Sequence, residues 1–259
     1  MIASACEAFH AAGKKVVIVL NIGGVVETAS WKTQPDAIVL AWQGGQEGGN
    51  SVADIMSGKV NPSGKLPMTF PVHVADHASN ANFPLDGEPM SMTSLLFSGE
   101  AKTEGEKIKN KDYTNYEEGI YVGYRHFDKA NLEVSYPFGY GLSYSDFEFS
   151  DLVSHVENDT VHISLKVRNT GDHAGKEVVQ IYVSKPNAAI DRPEKELKAF
   201  AKSRNLQPGE EEEIIFRLPV SELRYWDEEK AGWALEKGQY EIKAGASSRD
   251  IRSAVGIDI

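Results

Sequence analysis

Apolar and polar positions follow two rhythms along this chain, and the change falls near residue 146. Before it, short unbroken apolar runs stand between segments of helical spacing; after it, apolar and polar residues alternate with a period of two. In the first part, 1–12 predicts a helix carrying Ile2, Cys6, Phe9 and His10 near one face and ending at Gly13. Residues 16–21 are an apolar run of strand length. Gly23-Gly24 turns it into a short helical segment predicted to carry Val25, Val26 and Trp31, closed by Pro35. A second apolar strand opens at Ala37, and Val52, Ile55 and Met56 place a helix over 52–57. After the turn signal Asn61-Pro62-Ser63-Gly64, residues 65–70 are a third extended run. The order α-β-α-β-α-β predicts a parallel sheet with helices on its faces. Such sheets typically have about five strands, so these three are expected to be the second half of a larger α/β unit.

Residues 72–112 keep no sustained period, with Pro84, Pro89, Ser91, Ser94, Ser98, Gly99 and Gly105 scattered through them. A span of that kind is either mobile or ordered by a neighbouring domain. Residues 115–128 and 136–144 are dense in aromatics, glycine and charge. Rings beside Glu, Arg and Asp suit a sugar-binding surface or a domain junction, and the junction is preferred because tyrosine packs well with one end wet. From Phe147 onward, 147–156, 161–169, 178–184, 195–201, 211–218 and 239–246 read as short alternating strands. With no cysteine pair, they predict a two-sheet sandwich of fibronectin type III kind. The run Glu210 to Glu213 reads as a solvated strand edge. The fold class is therefore α/β plus all-β. Its expected domains are a partial parallel α/β unit over 1–72, an irregular aromatic-rich connector over 73–145, and a sandwich over 146–259.

Candidate chemistry begins at the loop leaving the second strand, because ligands of parallel sheets are met at carboxyl ends. Gly44 to Gly49 has the outer spacing of a phosphate-cradling loop, but Asn50 stands where that loop needs a lysine. Glu47 would compete with any anion for the helix N-terminus, so a tight turn with Glu47 as first-turn carboxylate is preferred to nucleotide binding. His73 and His77 flank Asp76 without a third ligand, so they read as loop histidines and no metal is assigned. Cys6, alone in the chain, excludes an internal disulfide and reads as a small core residue. A net charge of −11 and a pI near 5.2 speak against nucleic acid and anionic membranes as partners. No apolar run approaches the roughly 20 residues that span a bilayer, and no secretory signal is visible. The cytoplasm is the default expectation, unless an export signal lay upstream.

Several of these segments, in order, resemble the C-terminal half of bacterial glycoside hydrolase family 3 enzymes, the β-glucosidase and β-xylosidase group. The carrying motifs are Lys14-Lys15-Val16-Val17-Ile18-Val19-Leu20-Asn21-Ile22-Gly23, Ala41-Trp42-Gln43-Gly44-Gly45-Gln46-Glu47-Gly48-Gly49 and Asn61-Pro62-Ser63-Gly64-Lys65-Leu66-Pro67. They continue with Tyr121-Val122-Gly123-Tyr124-Arg125, Phe138-Gly139-Tyr140-Gly141-Leu142-Ser143-Tyr144, Asn169-Thr170-Gly171 and Gly175-Lys176-Glu177-Val178. The resemblance implies an N-terminal barrel, an α/β sandwich domain and a fibronectin type III-like domain. It also implies retaining hydrolysis by two carboxylates, without a cofactor. In that family the nucleophilic aspartate belongs to the barrel and the acid/base glutamate lies upstream of the helix with which this chain begins.

Glu47, Glu117 and Glu118 are the carboxylates weighed as substitutes, and none is assigned, because one carboxylate without a barrel subsite cannot perform double displacement. The expectation is a fragment of a retaining exo-acting β-glycosidase of β-glucosidase type, inactive alone. Its partners would be the missing barrel and a β-linked glucoside or xyloside. The alternative is a non-catalytic carbohydrate-binding or scaffold module using the aromatics between Tyr113 and Tyr144. A third reading is an enzyme half working in trans with a separately encoded barrel.

Overall fold

A computed structural model of the chain describes residues 1–82 and 115–259. The residues on which the irregular connector was read, Pro84 through Gly105, and Tyr113 lie outside the described ones.

Helix α1 (Ile2–Ala11) buries Cys6 and leaves Phe9 more than half exposed, so the predicted apolar face is only partly covered. Gly13 ends it at φ +67°, with Gly13 N–H donating to His10 O and Lys14 N–H to Phe9 O, the paired bonds of a Schellman cap. Strands β1 (Val17–Leu20) and β2 (Ala37–Leu40) pair in parallel, Val17 opposite Ala37. Asp36 ties the strand entry to the helix by accepting from Lys15 Nζ at 2.7 Å, Val16 N at 2.8 Å and His10 Nε2 at 2.9 Å. Those bonds, Lys15 first, hold its carboxyl far below the usual range. None of the eight residues of β1 and β2 is fully buried. That is anomalous for a parallel pair, whose faces are normally both covered.

Two expectations fail here. Residues 23–35 form turns instead of a helical segment, because the Glu27 carboxylate takes both the Ser30 N–H and hydroxyl at 2.7 Å. The neighbouring Thr28 hydroxyl is buried against Ser135 Oγ at 2.7 Å. The third run is also not a third parallel strand. Its end, β3 (Phe70–Pro71), pairs antiparallel with β4 (Val134–Tyr136). Upstream, Leu66 N–H donates to Tyr140 O and Leu66 O accepts from Gly139 N–H, both at 2.8 Å, while Pro67 and Pro71 have no N–H to offer a ladder. Helix α2 (Gly48–Met56) lies between, and α3 (Tyr124–Lys129) precedes β4.

The second part is a sandwich of two antiparallel sheets. One holds β5 (Phe147–Glu157), β6 (Thr160–Asn169) and β9 (Glu211–Pro219). The other runs in the order β13 (Asp250–Asp258), β12 (Gln239–Ser247), β7 (Val178–Ser184), β8 (Glu196–Lys202). Val161, Ile163, Leu165 and Val167 from one sheet meet Val179, Ile181, Ile242 and Ala244 from the other in a single core. Strand β9, which carries Glu211 to Glu213, is an edge strand, as the acidic run implied. Strand β13 and the small hairpin β10 (Tyr225–Asp227)–β11 (Gly232–Ala234) were not anticipated.

Strand β7 departs from simple alternation, since all seven of its residues are buried. One face meets the sandwich core and the other is covered by the aromatic segments. Tyr124 stacks on Phe138 with centroids 5.0 Å apart and meets Tyr182 edge-on at 5.9 Å. Among the described residues no helix is long and apolar enough to cross a membrane.

Candidate functional site

Two regions concentrate chemistry: the loops at the carboxyl ends of β1 and β2, and the seam where those loops' scaffold meets the sandwich.

At the first, the chain leaves β2 through Trp42, whose φ of +52° is uncommon for any residue but glycine and is an outlier for a bulky one. Such a conformation costs on the order of 1–3 kcal/mol and persists only where surroundings hold it. Here the half-buried indole meets Phe70 edge-on, 6.5 Å between centroids, and Phe70 in turn meets Tyr136 at 6.3 Å. The loops after the two strands touch, since a Cβ on Gly23 would lie 2.8 Å from Gln43 Nε2. Glu47 occupies the N-cap of α2 and is exposed, but its carboxylate makes no bond to the helix backbone. It accepts from Asn50 Nδ2 at 2.6 Å instead, so the first-turn role expected of it is filled through a side chain.

The other carboxylates sit just before α3. Glu117 is exposed, whereas Glu118 is half-buried with Oε2 removed from solvent and without a hydrogen-bond partner among the described residues. His73 and Asp76 form a reciprocal cap around Val74–Asp76, Asp76 Oδ2 accepting from His73 N–H at 2.8 Å. His77 packs edge-on against Phe127 at 5.7 Å. Its burial, with His126 nearby, holds the imidazole below its usual value. Cys6 is a buried core residue.

The seam is built from the quoted motifs. Asn61 Nδ2 donates to Ala174 O at 3.0 Å and Ser145 Oγ at 3.3 Å, while its Oδ1 accepts from Tyr144 N–H at 2.8 Å and Ser143 Oγ at 2.9 Å. Lys65 Nζ stands 2.8 Å from Glu177 Oε1 with both side chains largely buried, and also donates to Gly141 O at 2.9 Å. Glu177 Oε1 accepts from Val178 N–H at 2.6 Å as well. A second pair, Lys195 Nζ to Asp128 Oδ2 at 2.6 Å, is equally buried, and Arg249 donates to Phe127 O and Leu132 O beside it. Gln180 Nε2 donates to Gly139 O and Ala246 O, and its Oε1 accepts from Tyr182 OH. Burial drives that phenol's pKa far up, which keeps it a donor. Gly139, at φ +80°, leaves no room for more: a Cβ there would fall 2.1 Å from Gln180 Oε1. The motifs that resemble family 3 contain both halves of the Lys65–Glu177 pair, but polar and charged neighbours such as Asn61, Ser63 and Lys176 surround them, so no local pattern marks the two as partners.

Residues 3–144 match the glycosyl hydrolase family 3 C-terminal domain, and 177–248 match the fibronectin type III-like domain. The chain belongs to glycoside hydrolase family 3. Among curated relatives, β-glucosidase B of Emericella nidulans is 39% identical over 246 residues, covering 93% of this chain and 27% of that protein. Thermostable β-glucosidase B of Acetivibrio thermocellus is 39% identical over 251 residues, covering 95% of this chain and 30% of that protein. Among solved structures, β-glucosidase 3B from Thermotoga neapolitana in complex with α-D-glucose superimposes with a TM-score of 0.86 at 43% identity, over 99% of this chain and 33% of that one. The chain thus spans about a third or less of the relatives it matches. Within the family 3 frame, the Lys65–Glu177 pair joins the two matched domains, its partners falling one in each.

Proposed function

We propose that these residues act as the C-terminal part of a retaining exo-acting β-glycosidase of β-glucosidase type, and that neither catalytic carboxylate lies among them. Residues 1–72 would supply part of one active-site wall, 73–145 the connecting segment and 146–259 the terminal sandwich. The observation that carries the reading is the match to β-glucosidases over 93% or more of this chain by the first two relatives named, in both domains. The exposure of apolar β1 and β2 supports it, since such a pair calls for further protein to cover it. Glu47 and Glu117 are exposed, unlike an acid seated in a desolvated pocket. The substrate class is a terminal β-linked glucoside or xyloside. A similar chain, 36% identical, is an exo-α-(1→6)-L-arabinopyranosidase from Bifidobacterium longum, so sugar choice varies among these relatives.

The test is hydrolysis of aryl β-glucoside and aryl β-xyloside by the 259-residue chain, alone and mixed with a family 3 barrel half. Turnover only on mixing supports the proposal. Turnover by the chain alone refutes it and makes Glu47, Glu117 and Glu118 the first residues to replace.

A further inference from the structure

We propose that Asn61 and Tyr144 are positioning residues: they anchor the far end of α2 to the sandwich, and through that helix they hold the Trp42 loop in place at the candidate active-site wall. That the loop belongs to such a wall rests on the glycosidase reading; that the sandwich holds the loop rests on the geometry of α2 alone.

A bulky residue at the φ of +52° found at Trp42 keeps that conformation only where both of its flanks are held. On the strand side they are held directly. Ala41 N–H donates to Leu20 O at 2.9 Å, and the indole meets the buried Phe70 edge-on. On the other side residues 43–47 are all exposed, and the loop folds straight onto the first turn of α2. A Cβ on Gly44 would lie 2.9 Å from Gly48 Cα, and Gly48 N–H donates to Gly45 O at 3.3 Å. The loop therefore goes where the helix goes.

No core places the helix. None of its nine residues is buried, and Met56 is 46% exposed. Its last turn is fixed by hydrogen bonds instead. Ile55 O, one of the carbonyls that a helix end leaves without an internal partner, accepts from Gly58 N–H at 3.0 Å and from Tyr144 OH at 2.8 Å. Just beyond, Asn61 spends its whole amide: both donors go to Ser145 Oγ and Ala174 O, and both acceptor sites take Ser143 Oγ and Tyr144 N–H. The amide has no room to re-seat, since a Cβ on Gly175 would lie 2.7 Å from Asn61 Nδ2. Tyr144 thus grips twice, by its hydroxyl on the helix and by its N–H on Asn61. Nine helical residues span only about 13 Å and move as one body, so a displacement at Ile55 reaches Gly48 and the loop before it.

The experiment compares the parent 259-residue chain with Asn61→Ala and Tyr144→Phe in proton–nitrogen correlation spectra, read at the indole N–H of its four tryptophans. The expected result is that the Trp42 resonance leaves its parent position in both variants, while Trp226 and Trp233 in the sandwich stay where they were. Lys59→Met is the control. It breaks the exposed Lys59–Asp54 pair near the same end of α2 without touching the sandwich, and should leave Trp42 still. A Trp42 resonance unmoved in both variants, or moved as far by Lys59→Met, overturns the proposal. Should Asn61→Ala misfold, Tyr144→Phe decides alone, because it removes one hydroxyl and keeps the ring. In the enzyme completed by a barrel half, Asn61→Ala is expected to raise KM for an aryl β-glucoside roughly fivefold with kcat within about twofold, since neither residue takes part in the chemistry. An unchanged KM overturns the positioning role. Movement of Trp42 in a parent that shows no turnover with the barrel half defeats only the glycosidase reading.

Discussion

Replacing Lys65 by methionine tests what holds the two matched domains together. The ammonium is 2.8 Å from Glu177 Oε1, with side-chain exposures of 13% and 7%, so water screens the pair poorly. Methionine keeps the straight chain and removes only the charge and its donors. Glu177 is then a buried carboxylate left with the Val178 N–H, and Gly141 O loses a donor. Removing one partner of a buried pair costs roughly 3–5 kcal/mol. The remaining bond from Val178 places this case near the lower figure, about 3 kcal/mol. With a urea dependence of about 3 kcal/mol/M, the midpoint falls by about 1 M. The companion variant K65M/E177L takes both charges out, and is expected within about 1 kcal/mol of the parent because an apolar pair carries no unpaired charge. Equilibrium unfolding in urea at pH 7, followed by tryptophan fluorescence and far-UV circular dichroism, measures both. Lys65→Met within about 0.5 kcal/mol of the parent, or a double variant less stable than the single one, refutes the reasoning.

Hydrogen exchange should find the amides of Val17–Leu20 and Ala37–Leu40 opening more easily than those of Thr160–Asn169, by roughly a thousandfold, because only the latter strand crosses a closed core. Equal protection would contradict this. His77 titrates below its usual value when folded, so the unfolded chain binds its proton first as pH falls. Its contribution is complete above the unfolded value of about 6.5 and is lost as pH falls below it; melting temperatures at pH 7.5 and 5.5 should differ less in His77→Gln than in the parent. In an enzyme completed by a barrel half, Glu47→Gln should keep kcat/KM within about tenfold, since that carboxylate is exposed and holds only Asn50; a loss of several thousandfold would make Glu47 catalytic.

What was legible in the sequence was what local pattern controls. Strands β5, β6, β8, β9 and β12 were readable because inward positions such as Val161, Ile163, Leu165 and Val167 repeat every second residue, and β7 because its residues are largely apolar and β-branched or aromatic. Gly13 marked the end of α1 for an equally local reason. Strand β13 alternates in burial just as well, with Ile251, Val255 and Ile257 inward, but the polar Ser253 among the inward positions and the apolar Ala254 among the outward ones break the rhythm of its sequence. The segment after Gly24 was misread because Glu27 and Thr28 spend their side chains on turn and long-range bonds that spacing does not record. The third strand changed partner because its backbone is claimed by residues 139 and 140, more than seventy positions away. The candidate site followed the same division. Glu47 was placed correctly at the head of α2, whereas its bond to Asn50 and the strain at Trp42 depend on tertiary context. Trp226 and Trp233 were passed over, although two tryptophans flanking an acidic turn are a visible hairpin signal.

The close fit at Gly139 bears on how such enzymes diversify. A sandwich of this kind resembles a detachable cassette, yet its β7 meets the preceding segment where one added methyl group would collide with Gln180. Asn61, Lys65 and Gly139 on one side answer residues 174, 177 and 180 on the other. Exchange of the sandwich alone between relatives would therefore inherit half a lock. Chimaeras that move both sets of residues together should assemble, whereas chimaeras that exchange the sandwich without its facing loops should not.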